Sequence, residues 1–112
     1  MTTTPTALNT YQGIAMDAFI AAQSAGVQLV DVRTSVEFAE GHIPGALNIP
    51  LDAFSPTHPL MQTLNANEPF YMVCRSGARS ARASQMMASA GRTAFNVEGG
   101  TLAWIAAGQA VE

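Results

Sequence analysis

The sequence predicts an α/β domain: an open parallel sheet of about five strands with helices on both faces. Three observations carry that prediction. Short apolar runs of strand length recur at residues 29–33, 46–49, 70–73 and 93–97, each bounded by glycine, proline or charge. Stretches with apolar residues at helical spacing lie between them. Strands alternating with short helices build parallel sheets through right-handed crossovers. The 112 residues suit one domain, and a hydrophobic content of 48% is ample for a core.

Residues 1–9 are polar and lack periodicity, so they read as a flexible arm, leaving 10–112 as the single domain. Residues 11–14 suit a short edge strand. Met16, Phe19, Ile20 and Gln23 share one face of a short helix ended by Gly26. Ala15 is a poor cap for it, although Asp17 suits its first turn. In the strand 29–33, Asp31 and Arg33 point to one face and Val30 and Val32 to the other. Acid and base at the end of a buried strand must be paired. They either anchor neighbouring loops or, in a functional variant, let Asp31 orient an arginine elsewhere.

Thr34 or Ser35 can cap a short helix reaching Glu40, with Glu37 in its first turn. Gly41-His42-Ile43-Pro44-Gly45 is a turn cluster, and His42 reads as a turn residue bonded to backbone rather than a catalytic base. The strand at 46–49 stops at Pro50. A proline-bearing connection follows, in which His58 has no evident partner, and then Leu60, Met61 and Leu64 suggest a short helix. The run Phe70-Tyr71-Met72-Val73 is the central strand. A helix over 81–90 would bury Ala83, Met86, Met87 and Ala90 and end at Gly91. After the strand 93–97, Gly99-Gly100 turns the chain, and Thr101 can cap a last helix carrying Leu102, Trp104 and Ile105, with Trp104 packed over the sheet.

The stretch with chemical character is Cys74-Arg75-Ser76-Gly77-Ala78-Arg79-Ser80, between the central strand and the following helix. Ligands of open α/β sheets bind beyond the carboxyl ends of the strands. A short loop curling into a helix N-terminus turns several N–H groups towards one point and makes an anion cradle. Gly77 is free to take a positive φ there, and Ser76 or Ser80 can bond to the same focus. A thiol so placed ionises easily: cysteines at helix N-termini near arginine fall to pKa values of about 3.5–7.5, against about 8.5 when free. The thiolate is a nucleophile. A lone cysteine is more often a small core hydrophobe, but Arg75, Ser76, Gly77, Arg79 and Ser80 are poor core material.

Charge narrows the classes. The net charge of −3 disfavours nucleic acid. All five basic residues are arginines, and Arg75, Arg79, Arg82 and Arg92 lie in an interval, 69–97, that contains no acid. The loop therefore sits in a local positive field suited to a small anionic substrate, while Arg82 and Arg92 read as solvated. Without lysine there is no Walker-type loop, and no GxGxxG occurs. One cysteine and two scattered histidines give no zinc spacing, and one cysteine forms no internal disulfide. No apolar run spans a bilayer and the start has no secretory-signal pattern, so a cytoplasmic protein with no membrane partner is expected.

Read together, these residues make the chain resemble a single-domain rhodanese, of the thiosulfate sulfurtransferase family. Residues 29–33 through Glu37-Phe38 and Gly41-His42-Ile43-Pro44-Gly45-Ala46, continuing into Asn48-Ile49-Pro50-Leu51, resemble the family's first conserved segment. Cys74-Arg75-Ser76-Gly77-Ala78-Arg79-Ser80 resembles its active-site loop, and Asn96-Val97 with Gly99-Gly100, Trp104 and Ala107-Gly108 its closing segment. The likeness covers about residues 14–111. The chain departs from the family at the first helix, where the usual capping serine is absent, which bears only on local stability.

The resemblance implies a rhodanese-like fold and transfer of sulfane sulfur without cofactor or metal. Cys74 would attack thiosulfate or a persulfide donor and become a persulfide. Its outer sulfur would lie in the amide cradle of residues 75–79, with Arg75, Ser76, Gly77, Ala78, Arg79 and Ser80 binding substrate, Arg75 and Arg79 through charge, and Asp31 and Arg33 in support. Cyanide, a small thiol or a partner protein's thiol would accept the sulfur. The spacing Cys-x4-Arg makes a six-residue loop. Rhodanese-like phosphatases carry Cys-x5-Arg, a wider cradle fitting phosphate or arsenate. A phosphatase or arsenate reductase is thus a lesser alternative, and a non-catalytic docking module another.

Overall fold

The structure is a computed structural model and describes residues 10–112; the expected arm, 1–9, lies outside the described residues. Five strands form one sheet: β1 (Gln12–Ile14), β2 (Gln28–Asp31), β3 (Leu47–Asn48), β4 (Phe70–Val73) and β5 (Ala94–Val97), in the order β1-β5-β4-β2-β3, with every pairing parallel. The helices are α1 (Met16–Ala25), α2 (Ser35–Ala39), α3 (Ala78–Ser89) and α4 (Gly100–Ala106), with 3-10 turns at Leu51–Ala53 and Pro59–Thr63.

Both faces of the sheet are covered, which is why its central strands read as unbroken apolar runs. Alternate residues of β4 serve opposite cores. Phe70, Met72 and Cys74 join Val30, Val32, Ile49, Ala83 and Met87 on the α3 side. Tyr71 and Val73 join Phe19, Leu29, Val97 and Trp104 on the α1 and α4 side. There Trp104 packs edge-on to Phe19 at 5.8 Å, and its Nε1 donates to Ala110 O.

Some local expectations hold, those for Ala15 and His42 among them, and others are corrected. Helix α3 starts at Ala78, so Ala78, Arg79 and Ser80 form its first turn. Its buried side is Ser80, Ala83, Ser84, Met87 and Ala88; Met86 and Ala90 are exposed. The small Ser84 and Ala88 occupy the sheet-facing positions and turn Met86 outward. Thr101 does not cap α4, whose cap is Gly99. Leu102 and Ile105 are exposed, leaving Trp104 as that helix's large buried side chain. As expected, Ala15 precedes α1 without a side-chain cap. His58 does have a partner: its ring accepts from Leu60 N at 3.0 Å and caps the 3-10 turn. His42 bonds Phe38 O at 2.9 Å, stacks on the Phe38 ring at 3.6 Å, and exchanges backbone bonds with Glu112.

The site follows from the topology. From β2 the chain leaves towards β3, and from β4 towards β5, so the connections part between β2 and β4. A crevice opens at such a switch point, beyond the carboxyl ends of the strands. The loop after β4 forms one wall and the segment after β2 the other.

Candidate active site

Cys74 follows the last residue of β4, and its side chain is buried, at 1% exposure. Its sulfur faces the loop. The Gly77 amide donates to Sγ at 3.1 Å and Ser80 Oγ lies 3.3 Å away. Burial opposes ionisation and is the largest single influence on this thiol. The Ser80 hydroxyl and the amides of Ser80, Gly77 and Ser76 together outweigh it and hold the thiol below its ordinary value.

Glycine permits this geometry at two places. Gly77 takes φ +117°, which lets the loop fold back over the sulfur before α3 begins. Gly100, at φ +61°, lies against the carbonyls of Cys74 and Arg75, where a Cβ would collide with both. That close approach lets the amides of Thr101 and Leu102 reach the same two carbonyls at 2.9 and 3.1 Å, and Thr101 Oγ1 donates to Cys74 O at 3.2 Å. The loop is held from behind by α4, so its amides are left to face forward.

A second set of bonds ties the loop to β5. Asn96 Nδ2 donates to Gly77 O at 3.1 Å, and Ser80 Oγ donates to Asn96 Oδ1 at 2.6 Å. Asn96 belongs to the stretch that resembles the closing segment of the rhodanese family, where the sequence suggests no role for it. The spacing of sixteen residues between Ser80 and Asn96 carries no pattern that would pair them.

Across the crevice, Arg79 Nη1 and Nη2 donate to Glu37 Oε1 and Oε2 at 2.7 and 2.9 Å. Glu37 also closes a capping box with Thr34, whose amide donates to Oε1 at 2.9 Å. The Arg79 bond is the chief reason the Glu37 carboxyl is held down to about 2; burial opposes it and the Thr34 bonds assist. The same pair raises Arg79 above its ordinary value.

Asp31 and Arg33 are brought together, but Asp31 does not hold the loop arginine. Arg33 Nε and Nη2 bond the Asp31 carboxylate at 2.9–3.1 Å, and Nη2 donates to Gly41 O at 2.8 Å. This pair anchors the turn after α2, while Glu37 orients Arg79. Arg75 and Ser76 are exposed, Ala78 is exposed at the start of α3, and Arg79 is half-buried.

Two open grooves flank the loop. One of about 550 Å³ is lined by Val32, Thr34, Pro50, Leu51, Arg79 and Arg82, with Asp52 at its side. The other, about 200 Å³, lies between Glu37, Glu40, Arg75 and Leu102. Arg82, read from sequence as merely solvated, thus borders a groove together with Arg79.

Fold and site define a class: a parallel α/β domain presenting one cysteine in an amide-lined loop at the switch point of its sheet. Comparison gives the family. A model of the rhodanese-like domain matches residues 16–107, and the chain belongs to that family of sulfurtransferases. It is similar to a sulfurtransferase of Allochromatium vinosum, 37% identical over 84 residues, covering 74% of this chain and 76% of the other. It is also similar to thiosulfate sulfurtransferase 18 of Arabidopsis thaliana, 38% identical over 93 residues, covering 72% and 68%. Among solved structures, a rhodanese-like domain protein from Staphylococcus aureus superposes with a TM-score of 0.72 at 39% identity, covering 83% of this chain and 90% of that one. Curated relatives differ in length: the chain spans 71%, 60% and 47% of three bacterial ones. Among the described residues, no helix is long and apolar enough to cross a membrane.

Proposed function

We propose that this domain carries sulfane sulfur on Cys74, taking it from thiosulfate or a persulfide and delivering it to cyanide or a thiol. The single observation that carries the reading is the pair of donors at Sγ, the Gly77 amide at 3.1 Å and the Ser80 hydroxyl at 3.3 Å. They favour a thiolate now, and the same cradle suits the anionic outer sulfur of a persulfide afterwards. The thiolate attacks the outer sulfur of thiosulfate; the sulfur–sulfur bond breaks and sulfite leaves with its electron pair. Cyanide then attacks the outer sulfur of the persulfide, thiocyanate departs and the thiolate is restored. No external oxidant or reductant enters this cycle.

The side chains divide the work. Arg75, exposed at the mouth, draws in the anionic donor. Arg79, fixed by Glu37, closes the wall of the crevice and adds positive charge beside the loop. Asp31 and Arg33 support the opposite wall through Gly41. A thiol kept for this cycle needs a reducing compartment, the cytoplasm first among them. A protein thiol as acceptor would reach the loop by way of the two grooves.

The deciding experiment is mass measurement after thiosulfate. We expect one added sulfur atom at Cys74, its release as thiocyanate on adding cyanide, and neither event in Cys74→Ser. If neither thiosulfate nor a panel of small persulfides adds sulfur, the reading fails in favour of a docking module. Steady turnover of an aryl phosphate would favour phosphatase chemistry instead.

A further inference from the structure

Ser80 carries one hydroxyl proton and is offered three acceptors. Asn96 Oδ1 lies 2.6 Å from its oxygen, Cys74 Sγ 3.3 Å and Gly77 O 3.3 Å. Only one can receive the proton at a time. Ser80 is fully buried and Asn96 nearly so, which keeps bulk water from supplying a substitute. The Asn96 amide has a fixed orientation, because Nδ2 donates to Gly77 O at 3.1 Å. Turning it over would set two oxygens against each other, so Oδ1 faces Ser80. Gly77 O is independently held by Ala81 N at 3.1 Å in the first turn of α3.

We propose that Ser80 and Asn96 form a two-position hydroxyl switch, in which Asn96 Oδ1 holds the Ser80 proton while Cys74 is uncharged and yields it when Sγ becomes a thiolate. The short distance to Asn96 describes the first position. In the second, the hydroxyl turns to Sγ and donates a charge-assisted bond, leaving Oδ1 unpaired in a buried place. Once Sγ is bonded to a second sulfur, negative charge moves outward and the hydroxyl returns to Asn96. Asn96 is thus a positioning residue that sets how much of the Ser80 bond the thiolate receives. It restrains ionisation that the loop amides promote, and gives the proton a resting place in the sulfur-loaded state.

Charged groups around the sulfur do not duplicate this role. Asp31 and Arg33 at the end of β2 are bonded to each other, and Glu37 on α2 to Arg79 of the loop. Arg75 is exposed. The faces of β5 and α4 beside the loop contribute Asn96 and Thr101, both uncharged. Among the described residues, none of these charges bonds to Ser80 or Asn96.

The last state rests on the persulfide reading above, but the test does not. Cys74 is the sole cysteine, so ultraviolet thiolate absorbance, referenced to Cys74→Ser, reports its ionisation in the full chain. We compare wild type, Asn96→Leu, Ser80→Ala and the double variant; leucine fills the space of asparagine without an acceptor. The switch requires the Asn96→Leu midpoint to fall by about half a pH unit or more, because Ser80 is released to the sulfur. With Ser80 already replaced, Asn96→Leu must produce no fall. A midpoint unchanged or raised by Asn96→Leu alone, or an equal fall in both backgrounds, overturns the switch; a merely loosened loop raises it. Should Asn96→Leu not fold, wild-type NMR decides. The Asn96 side-chain amide signals must titrate with Cys74 and stop doing so in Ser80→Ala, and flat signals overturn the switch. Thiol titration requires no sulfur transfer, so the two proposals fail separately.

Discussion

Glu37 and Arg79, 42 residues apart in sequence, meet in a two-pronged ion pair that joins the walls of the crevice. Each end is also fixed locally, Glu37 by the capping box of α2 and Arg79 by the first turn of α3. A bidentate pair with both partners so restrained exceeds the usual surface salt bridge. It sets the distance across the site.

Glu37→Gln keeps the shape and removes the charge. We expect thiosulfate:cyanide turnover to fall about tenfold, mostly through KM, because Arg79 is released from its position. The pair also links stability to pH. The folded carboxyl at about 2 lies below its ordinary 4.5, so its contribution is fully present above 4.5 and is lost as pH falls towards 2. Denaturation midpoints of wild type and Glu37→Gln should therefore differ by about 1 kcal/mol at neutral pH and converge near the bottom of that interval. A constant difference across it would show that the carboxyl titrates normally.

Arg79→Ala should impair sulfur transfer by at least about tenfold, and Arg82→Ala by no more than about threefold. Arg79 is bonded across the site, whereas Arg82 is exposed and borders only the larger groove. Comparable losses in the two variants, measured as kcat/KM for thiosulfate, would show that the groove and not the bridge governs substrate capture.

Gly100→Ala places a methyl against the carbonyls of Cys74 and Arg75, in a backbone conformation that suits glycine. We expect a stability loss of about 2 kcal/mol or more by chemical denaturation. The thiol midpoint of the folded variant should rise, because a displaced loop aims fewer donors at the sulfur. An unperturbed thiol would show that α4 does not brace the loop.

Ser84 Oγ is buried against the sheet with no partner among the described residues. Ser84→Ala removes an unpaired hydroxyl and leaves almost no cavity. We expect a gain of about 1 kcal/mol in denaturation stability with sulfur transfer unchanged.

What could be read from sequence was what neighbouring residues decide together. Phe70 to Val73 reads as a strand because both of its faces are buried, and Cys74, Gly77 and Ser80 read as a site because they fall within seven residues where a strand gives way to a helix. Glu37 was legible as a helix-capping acid, but its second partner lies on a different wall of the crevice. Asn96 looked like an ordinary strand residue, since only folding sets it beside Ser80. The buried side of α3 was misjudged because methionine at 86 looks like core; Ser84 and Ala88 lie beside Ala83 and Met87 on the buried side, and Met86 is turned to solvent.

The bracing of the loop by β5 and α4 imposes an order on synthesis. Asn96, Gly100 and Thr101 all leave the ribosome after Cys74, and β5 fills the place between β1 and β4. A nascent chain that has exposed its cysteine still lacks the strand that joins β1 to β4 and the clamp behind its loop. Until that last stretch emerges and docks, the loop lacks the brace that aims its donors at the sulfur.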